Sequence, residues 1–271
     1  MGNEDLGKHL EKTGALNEAA EAYTRMRQEV STTKHIIDCG MHLVGLALQR
    51  KDWTLALNHV NKISSVQHPD DEAMVINFSN VVSGVAGIGR LDYDSAARSF
   101  LKCDFNAVPA TYSHIASPND LATYGGLLSL ATMDRKALQT KVLDNASFRA
   151  FLENEPHVRK AISFFVGGRY SNCLSILESF RNDYLLDVYL HKHVPAIYSR
   201  IRSKCIVQYT APFSCVTIES LSEAFGRPNQ SLEDELVHMV REKALDARVD
   251  SMNGVSSESL FSTMLSRQTV Y

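Results

Sequence analysis

Along this chain a bulky residue is followed three positions later by a small one, and four later again by a large one. The triplet recurs as Leu16, Ala19 and Tyr23; as Trp53, Ala56 and Val60; as Tyr93, Ala96 and Phe100; and as Tyr170, Cys173 and Leu177. A degenerate copy, Asp134, Ala137 and Lys141, falls between the last two. The anchors at 16, 53, 93, 134 and 170 are separated by 37, 40, 41 and 36 residues. Positions i, i+3 and i+7 share one helical face, and the small residue lets a partner helix approach closely. Charged or glycine-containing turns (Lys12-Thr13-Gly14, Arg50-Lys51-Asp52, Gly89-Arg90, Gly167-Gly168-Arg169) precede most copies, where a first helix should stop. The spacing predicts helix–turn–helix units of the tetratricopeptide type, stacked as a right-handed solenoid with a concave face suited to binding proteins. Trp53 and Tyr93 are expected to be buried between neighbouring helices.

From Pro195 the pattern changes. Ile197, Ile201, Cys205 and Ile206 mark one side of a helix, and a short helix follows with Thr217 as N-cap and Gly226 as its stop. Ser231 and Asp234 form a capping box for a third helix, whose buried stripe is Leu232, Leu236, Met239 and Val240. After Lys243 the period drops to two, with Leu245, Ala247 and Val249 alternating against Asp246, Arg248 and Asp250. Asn253-Gly254 suits a two-residue hairpin turn. Three helices followed by a β-hairpin predict a winged helix. One edge of its small sheet, Leu245 to Ser251 with Ala247, Arg248, Val249 and Asp250, should be free to accept a strand from another protein. The tail residues Leu260, Phe261, Met264 and Leu265 suit a short amphipathic helix that provides a second contact.

Composition narrows the classes. The 271 residues are 44% hydrophobic and 22% charged, the balance of an ordinary globular chain. The longest uncharged apolar run, around Val81–Ile88, contains Ser83 and two glycines and is too short to span a bilayer. Met1–Asn17 has no apolar core of the secretory type. The five cysteines, Cys39, Cys103, Cys173, Cys205 and Cys215, are scattered without a C-x-x-C pair and read as small buried hydrophobes. A net charge of −3 gives no general pull toward nucleic acid or anionic membrane. The expected reading helix begins with Glu233, Asp234 and Glu235, and residues 196–255 carry seven basic against eight acidic side chains. That balance argues against a nucleic-acid binder, which must neutralise phosphates.

The sequence lacks the common catalytic motifs. There is no G-x-S-x-G, Walker A loop or H-E-x-x-H, and Gly87-Ile88-Gly89 lacks the third glycine of a dinucleotide loop. His191-Lys192-His193 superficially matches the start of the JAMM metalloprotease motif, H-x-H-P-x6-S-x2-D. In register, the motif's Pro, Ser and Asp fall on Val194, Ile201 and Lys204, and an ammonium cannot replace the carboxylate ligand. The expectation is a non-enzyme with no cofactor and no metal.

Several long blocks carry a resemblance. STTKHIIDCGMH, SPNDLATYGGLLSLATMDR, SFRAFLENEPHVRKAI, YLLDVYLHKHVPAIYSRIR and LEDELVHMVREKALDARVD resemble the subunit 1 family of the COP9 signalosome, from Leu6 to about Asp250. That PCI-domain family is related to the homologous helical subunit of the proteasome lid, and the YGGLLSLATMDR block looks like the signalosome branch. The resemblance implies a mainly α protein with helical repeats over 1–130 and a PCI domain over 131–255. The helical part of that domain would span 131–195 and its winged helix 196–255, leaving a tail over 256–271. It implies a non-catalytic scaffold in the assembly that removes NEDD8 from cullins, located in the nucleus and cytoplasm. Its partners would be other signalosome subunits, met through winged-helix edges and C-terminal helices, with a cullin-RING ligase as an indirect partner. The same architecture in the proteasome lid or a translation initiation complex is the alternative, and a winged-helix nucleic-acid binder the second. The family usually carries more N-terminal sequence and a different continuation after Gly254, so the chain reads as a truncated or divergent member.

Overall fold

Turns built alike organise the first half of the molecule. In the computed structural model α1 (Gly2–Thr13), α2 (Leu16–Glu29), α3 (Thr33–Gln49), α4 (Trp53–Ser64), α5 (Glu72–Gly89) and α6 (Tyr93–Phe100) each pack against the next. The structure describes residues 2–29, 31–66, 72–213, 215–226, 231–246, 248–250 and 264–266. Between α1 and α2, α3 and α4, and α5 and α6, one residue takes the left-handed conformation: Gly14 (φ 82°), Lys51 (φ 58°) and Leu91 (φ 64°). The next residue's N–H then returns to a carbonyl five positions earlier, Ala15 to Leu10, Asp52 to Ala47 and Asp92 to Gly87. This is the Schellman closure of a helix C-terminus. It recurs at Gly168 (φ 76°), where the Arg169 N–H reaches Phe164 O.

Each of these left-handed residues stands two positions before a repeat anchor, so turn and triplet are one unit. Ala19, Ala56, Ala96 and Cys173, the small residues of the triplets, are all fully buried, as are Tyr23 and Phe100. Two expectations need correction. Trp53 is only half-buried, because its helix opens at the surface and the indole lies along the Gly89 backbone rather than inside the stack. The degenerate copy is out of register. Asp134 caps the short α8 (Arg135–Ala137), which continues as a π-helical turn over Leu138–Leu143. That extra residue per turn moves burial to Leu138 and Val142 and leaves Lys141 exposed.

The second half is built around α7 (Pro118–Thr132), which meets α6, α9 (Ala146–Asn154), α10 (Pro156–Val166) and α13 (Val194–Thr210). A helix wrapped on all sides must be apolar all round. Leu121, Ala122, Tyr124, Leu127, Leu128, Leu130 and Ala131 are accordingly buried, with Gly125 against the Phe148 ring and Gly126 against Val158. A full capping box starts the helix, with Ser117 Oγ accepting from the Asp120 N–H and Asp120 Oδ2 from the Ser117 N–H. Between α10 and α13 run α11 (Tyr170–Ser179) and α12 (Arg181–Leu185).

The C-terminal part contains β1 (Cys215–Thr217), α14 (Ile218–Phe225), α15 (Leu232–Arg241), β2 (Arg248–Asp250) and β3 (Met264–Ser266). Thr217 and Gly226 cap α14 as expected, and Ser231 Oγ accepts from the Asp234 N–H at the start of α15. The three strands order as β1-β3-β2, and β3 is antiparallel to both neighbours. Leu265 therefore lies between Val216 and Val249 in the ladder. The expected tail helix is overturned at Met264 and Leu265. With strands available on either side, β3 pairs its main chain twice over, which a lone helical turn in water cannot match. Leu260 and Phe261 lie outside the described residues, as does the expected Asn253-Gly254 turn. Among the described strands, β2 pairs with 264–266.

Candidate functional site

The expected binding edge is β2. Because β3 occupies the centre of the sheet, β2 has a ladder partner on one side only among the described strands. Arg248, Val249 and Asp250 form this edge, in register with Ser266, Leu265 and Met264. Leu245 does not belong to it. Its side chain is buried in the core, and its N–H follows that of Ala244 onto Met239 O at the end of α15. Ala247 and Ser251 lie outside the described residues. Leu245 thus stands outside the edge that the alternation suggested, and a left-handed residue at Lys243 (φ 55°) precedes it.

A buried arginine fixes the helices behind this sheet. Arg202 on α13 donates through Nε to Glu235 Oε1 at 2.7 Å and through one terminal nitrogen to Glu235 Oε2 at 2.8 Å. The same nitrogen donates to Phe225 O at 2.6 Å, so α13, α14 and α15 are tied at one point. Glu235 belongs to the acidic start of the would-be reading helix, and here it turns inward to an ion pair. Glu233 and Asp234 remain exposed there. Sequence reasoning missed Arg202, although the signal existed: with Tyr198, Ile201 and Cys205 it occupies the i, i+3, i+4, i+7 face of a buried helix.

The histidine pair is structural. His193 Nδ1 lies 3.0 Å from Tyr93 Oη, whereas His191 Nδ1 lies 3.0 Å from Asp187 O on a different side. Burial pushes His193 below the usual histidine value, with the charges of His191 and Lys192 acting the same way. Among the described residues no three His, Cys, Asp or Glu side chains gather as a metal ligand set. Lys204, where the metalloprotease motif wants an aspartate, donates to Leu130 O at 2.6 Å and also to Met133 O, with its ammonium over the Phe165 ring. It caps the end of α7, and burial lowers it to about 8. Cys39, Cys103, Cys173 and Cys205 are buried and free. Burial raises the Cys103 thiol to about 12, so it stays a protonated, inert side chain.

A second feature escaped the sequence altogether. Lys51, Trp53, Ile88, Gly89, Val188, Tyr189, His191, Lys192 and His193 line a cleft of about 210 Å³. Its loop is held by Asp187, whose Oδ2 accepts from Tyr124 Oη at 2.7 Å. The Asp187 Oδ1 accepts from the Tyr189 and Leu190 N–H groups at 2.8 and 2.6 Å.

Comparison with known proteins gives two family matches. Residues 1–141 match the family described as 26S proteasome subunit RPN7, and residues 177–256 match the PCI domain. A protein of Neurospora crassa named COP9 signalosome complex subunit 1 is 49% identical over 93% of this chain and 60% of its own length. The Arabidopsis thaliana protein of the same name is 38% identical over 94% of this chain and 57% of its own. The 26S proteasome regulatory subunit RPN7 of Saccharomyces cerevisiae is 19% identical over 93% of this chain. The chain spans 52% to 60% of the length of the first three curated relatives that it matches.

Proposed function

This chain belongs to the RPN7 family and carries a PCI domain, and from that membership we propose that it is a non-catalytic scaffold subunit of the COP9 signalosome. In this reading it supports assembly of the complex that removes NEDD8 from cullins of cullin-RING ligases. The observation that carries it is 49% identity to a COP9 signalosome complex subunit 1 across 93% of the chain. A proteasome-lid subunit of the same architecture is the second reading, favoured by the family match over residues 1–141 and weakened by 19% identity to the yeast lid subunit.

Residues 1–130, which hold helices α1 to α6 and most of α7, form a right-handed, tetratricopeptide-like solenoid. The PCI domain over 131–255 ends in a winged helix over 196–255 that takes in α13, α14, α15, β1 and β2, with β3 joining its sheet from the tail. The repeated Schellman turns support the first statement, and the order of helices and strands supports the second. Neighbouring subunits would extend the sheet at Arg248–Asp250, where an edge strand offers main-chain donors and acceptors. The tail around Leu260–Leu265 would add a second contact. Residence in nucleus and cytoplasm follows from the same assignment.

Catalysis is assigned to another subunit, because the histidines, cysteines and Lys204 described above are engaged in packing and capping. Co-expression with the remaining signalosome subunits tests the proposal. The chain should co-purify with them, and alone it should neither bind zinc stoichiometrically nor cleave NEDD8 from a cullin. Chelator-sensitive cleavage by the isolated chain overturns the scaffold assignment, and exclusive capture by lid subunits moves it to the second reading.

A further inference from the structure

We propose that the cleft between Lys51, Trp53, Val188 and Lys192 docks an acidic peptide segment of a partner protein. That segment inserts one large apolar side chain beside Trp53 and Tyr189 while its carboxylates meet Lys51 and Lys192. The size sets the first limit. A cavity of about 210 Å³ is smaller than the few hundred Å³ and upward that cofactor and drug-sized ligands occupy, and suits a single anchoring side chain.

The walls set the second. Ile88 and Gly89 form the floor, and Trp53 meets Tyr189 edge-on with ring centroids 6.5 Å apart. The indole occupies the place where any Cβ at Gly89 would stand, so the glycine is required for this wall to exist. The loop above exposes Val188 by 70% and the neighbouring Leu186 by 85%, which is costly in water without a partner. Half-buried aromatics ringed by exposed aliphatics are the composition of an interaction hot spot.

Charge selects the occupant. Among the described residues, the titratable lining is two exposed lysines, two histidines and a tyrosine, with no carboxylate. The carboxylates of the flanking turns are already engaged: Asp52 accepts from the Leu55 N–H, Asp92 from the Ser95 N–H, and Asp187 from three donors. Lys51 stands at the mouth of the cleft, held there by the left-handed turn that Gly14, Leu91 and Gly168 take at the equivalent positions.

The test uses the only tryptophan in the chain, Trp53, as its own reporter. A panel of short capped peptides carries a central Phe, Leu, Ile or Met flanked by Asp and Glu, and each is titrated against the purified protein while Trp53 emission is followed. Saturable binding is expected for at least one anchor. Replacing that anchor by Ser should weaken it by about tenfold, and K51G combined with K192S should weaken it by at least about tenfold. K51G suits the left-handed turn, so lost binding in that variant cannot be put down to lost folding. No saturable change with any peptide overturns the proposal. So does equal binding of lysine-flanked peptides, undiminished binding by the double variant, or equal competition by inorganic phosphate, which would mark a simple anion site.

Discussion

Arg202 and Glu235 lock α13 to α15 through two parallel hydrogen bonds, with the arginine side chain 6% exposed and the carboxylate 28%. The pair draws a carboxylate from the acidic start of α15 toward α13. Removing either partner strands the other, and removing Arg202 frees Phe225 O as well. Arg202→Met should therefore cost about 2–4 kcal/mol, below the fully buried case because Glu235 retains some solvent. In a double-mutant cycle with Glu235→Gln, urea unfolding should give a coupling of about 1–3 kcal/mol. Strictly additive effects would show that the pair does not hold the helices together.

The left-handed turn residues give a prediction with opposite signs at equivalent positions. Leu91→Gly should stabilise the protein by about 0.5–1 kcal/mol, because the leucine is strained at φ 64° and 62% exposed. Gly168→Ala, where a Cβ finds open space but a left-handed backbone, should destabilise it by about 1 kcal/mol. Denaturant midpoints at unchanged slope are the measurement. Equal signs at the two sites would contradict the shared turn geometry.

Gly126 on α7 presents a different constraint. Alanine favours helices over glycine by about 1 kcal/mol, yet a Cβ there collides with the Val158 side chain. Gly126→Ala should lower stability by about 1–3 kcal/mol. Adding Val158→Ala should recover part of that loss in thermal unfolding.

Histidine burial sets the acid limit. Burial lowers His42, His59, His114, His157 and His193 below the ordinary value of 6.5. The unfolded chain binds protons more readily at these sites, so their contribution to stability is complete above 6.5 and lost as pH falls through the lower folded values. The thermal midpoint should drop as pH falls below 6.5. His157 stacks on Phe180 at 3.7 Å and lies 2.7 Å from Tyr184 Oη through Nε2. His157→Gln should reduce the acid dependence while lowering stability at neutral pH.

The parts of this fold that local periodicity writes were readable. Ala19, Ala56, Ala96 and Cys173 all fall at helix contacts, and Thr217, Gly226 and Ser231 cap the helices they were expected to cap. Three features depended on distance along the chain and were not readable. Met264 and Leu265 read as helix alone but take strand between two partners far off in sequence. Arg202 stands on a buried helical face, but its partner Glu235 is 33 residues away and nothing local names it. The cleft joins Lys51 and Trp53 to Lys192, with nothing local to signal the meeting. Asp134–Lys141 failed for another reason: one π-helical turn shifted the face that a regular helix would have buried.

Entry into the complex is the most direct test of the scaffold account. Successive N–H groups along β2 point alternately toward β3 and away, so single prolines at Arg248, Val249 and Asp250 sample both sides of the edge. Each variant, with folding checked by circular dichroism, is co-expressed with the remaining signalosome subunits, and the fraction recovered in the complex is measured. The account predicts stoichiometric recovery of the wild-type chain and loss of assembly for folded variants whose proline removes an outward donor. Exclusion of the folded wild-type chain would contradict the scaffold assignment, and wild-type recovery of all three folded proline variants would contradict pairing at the β2 edge.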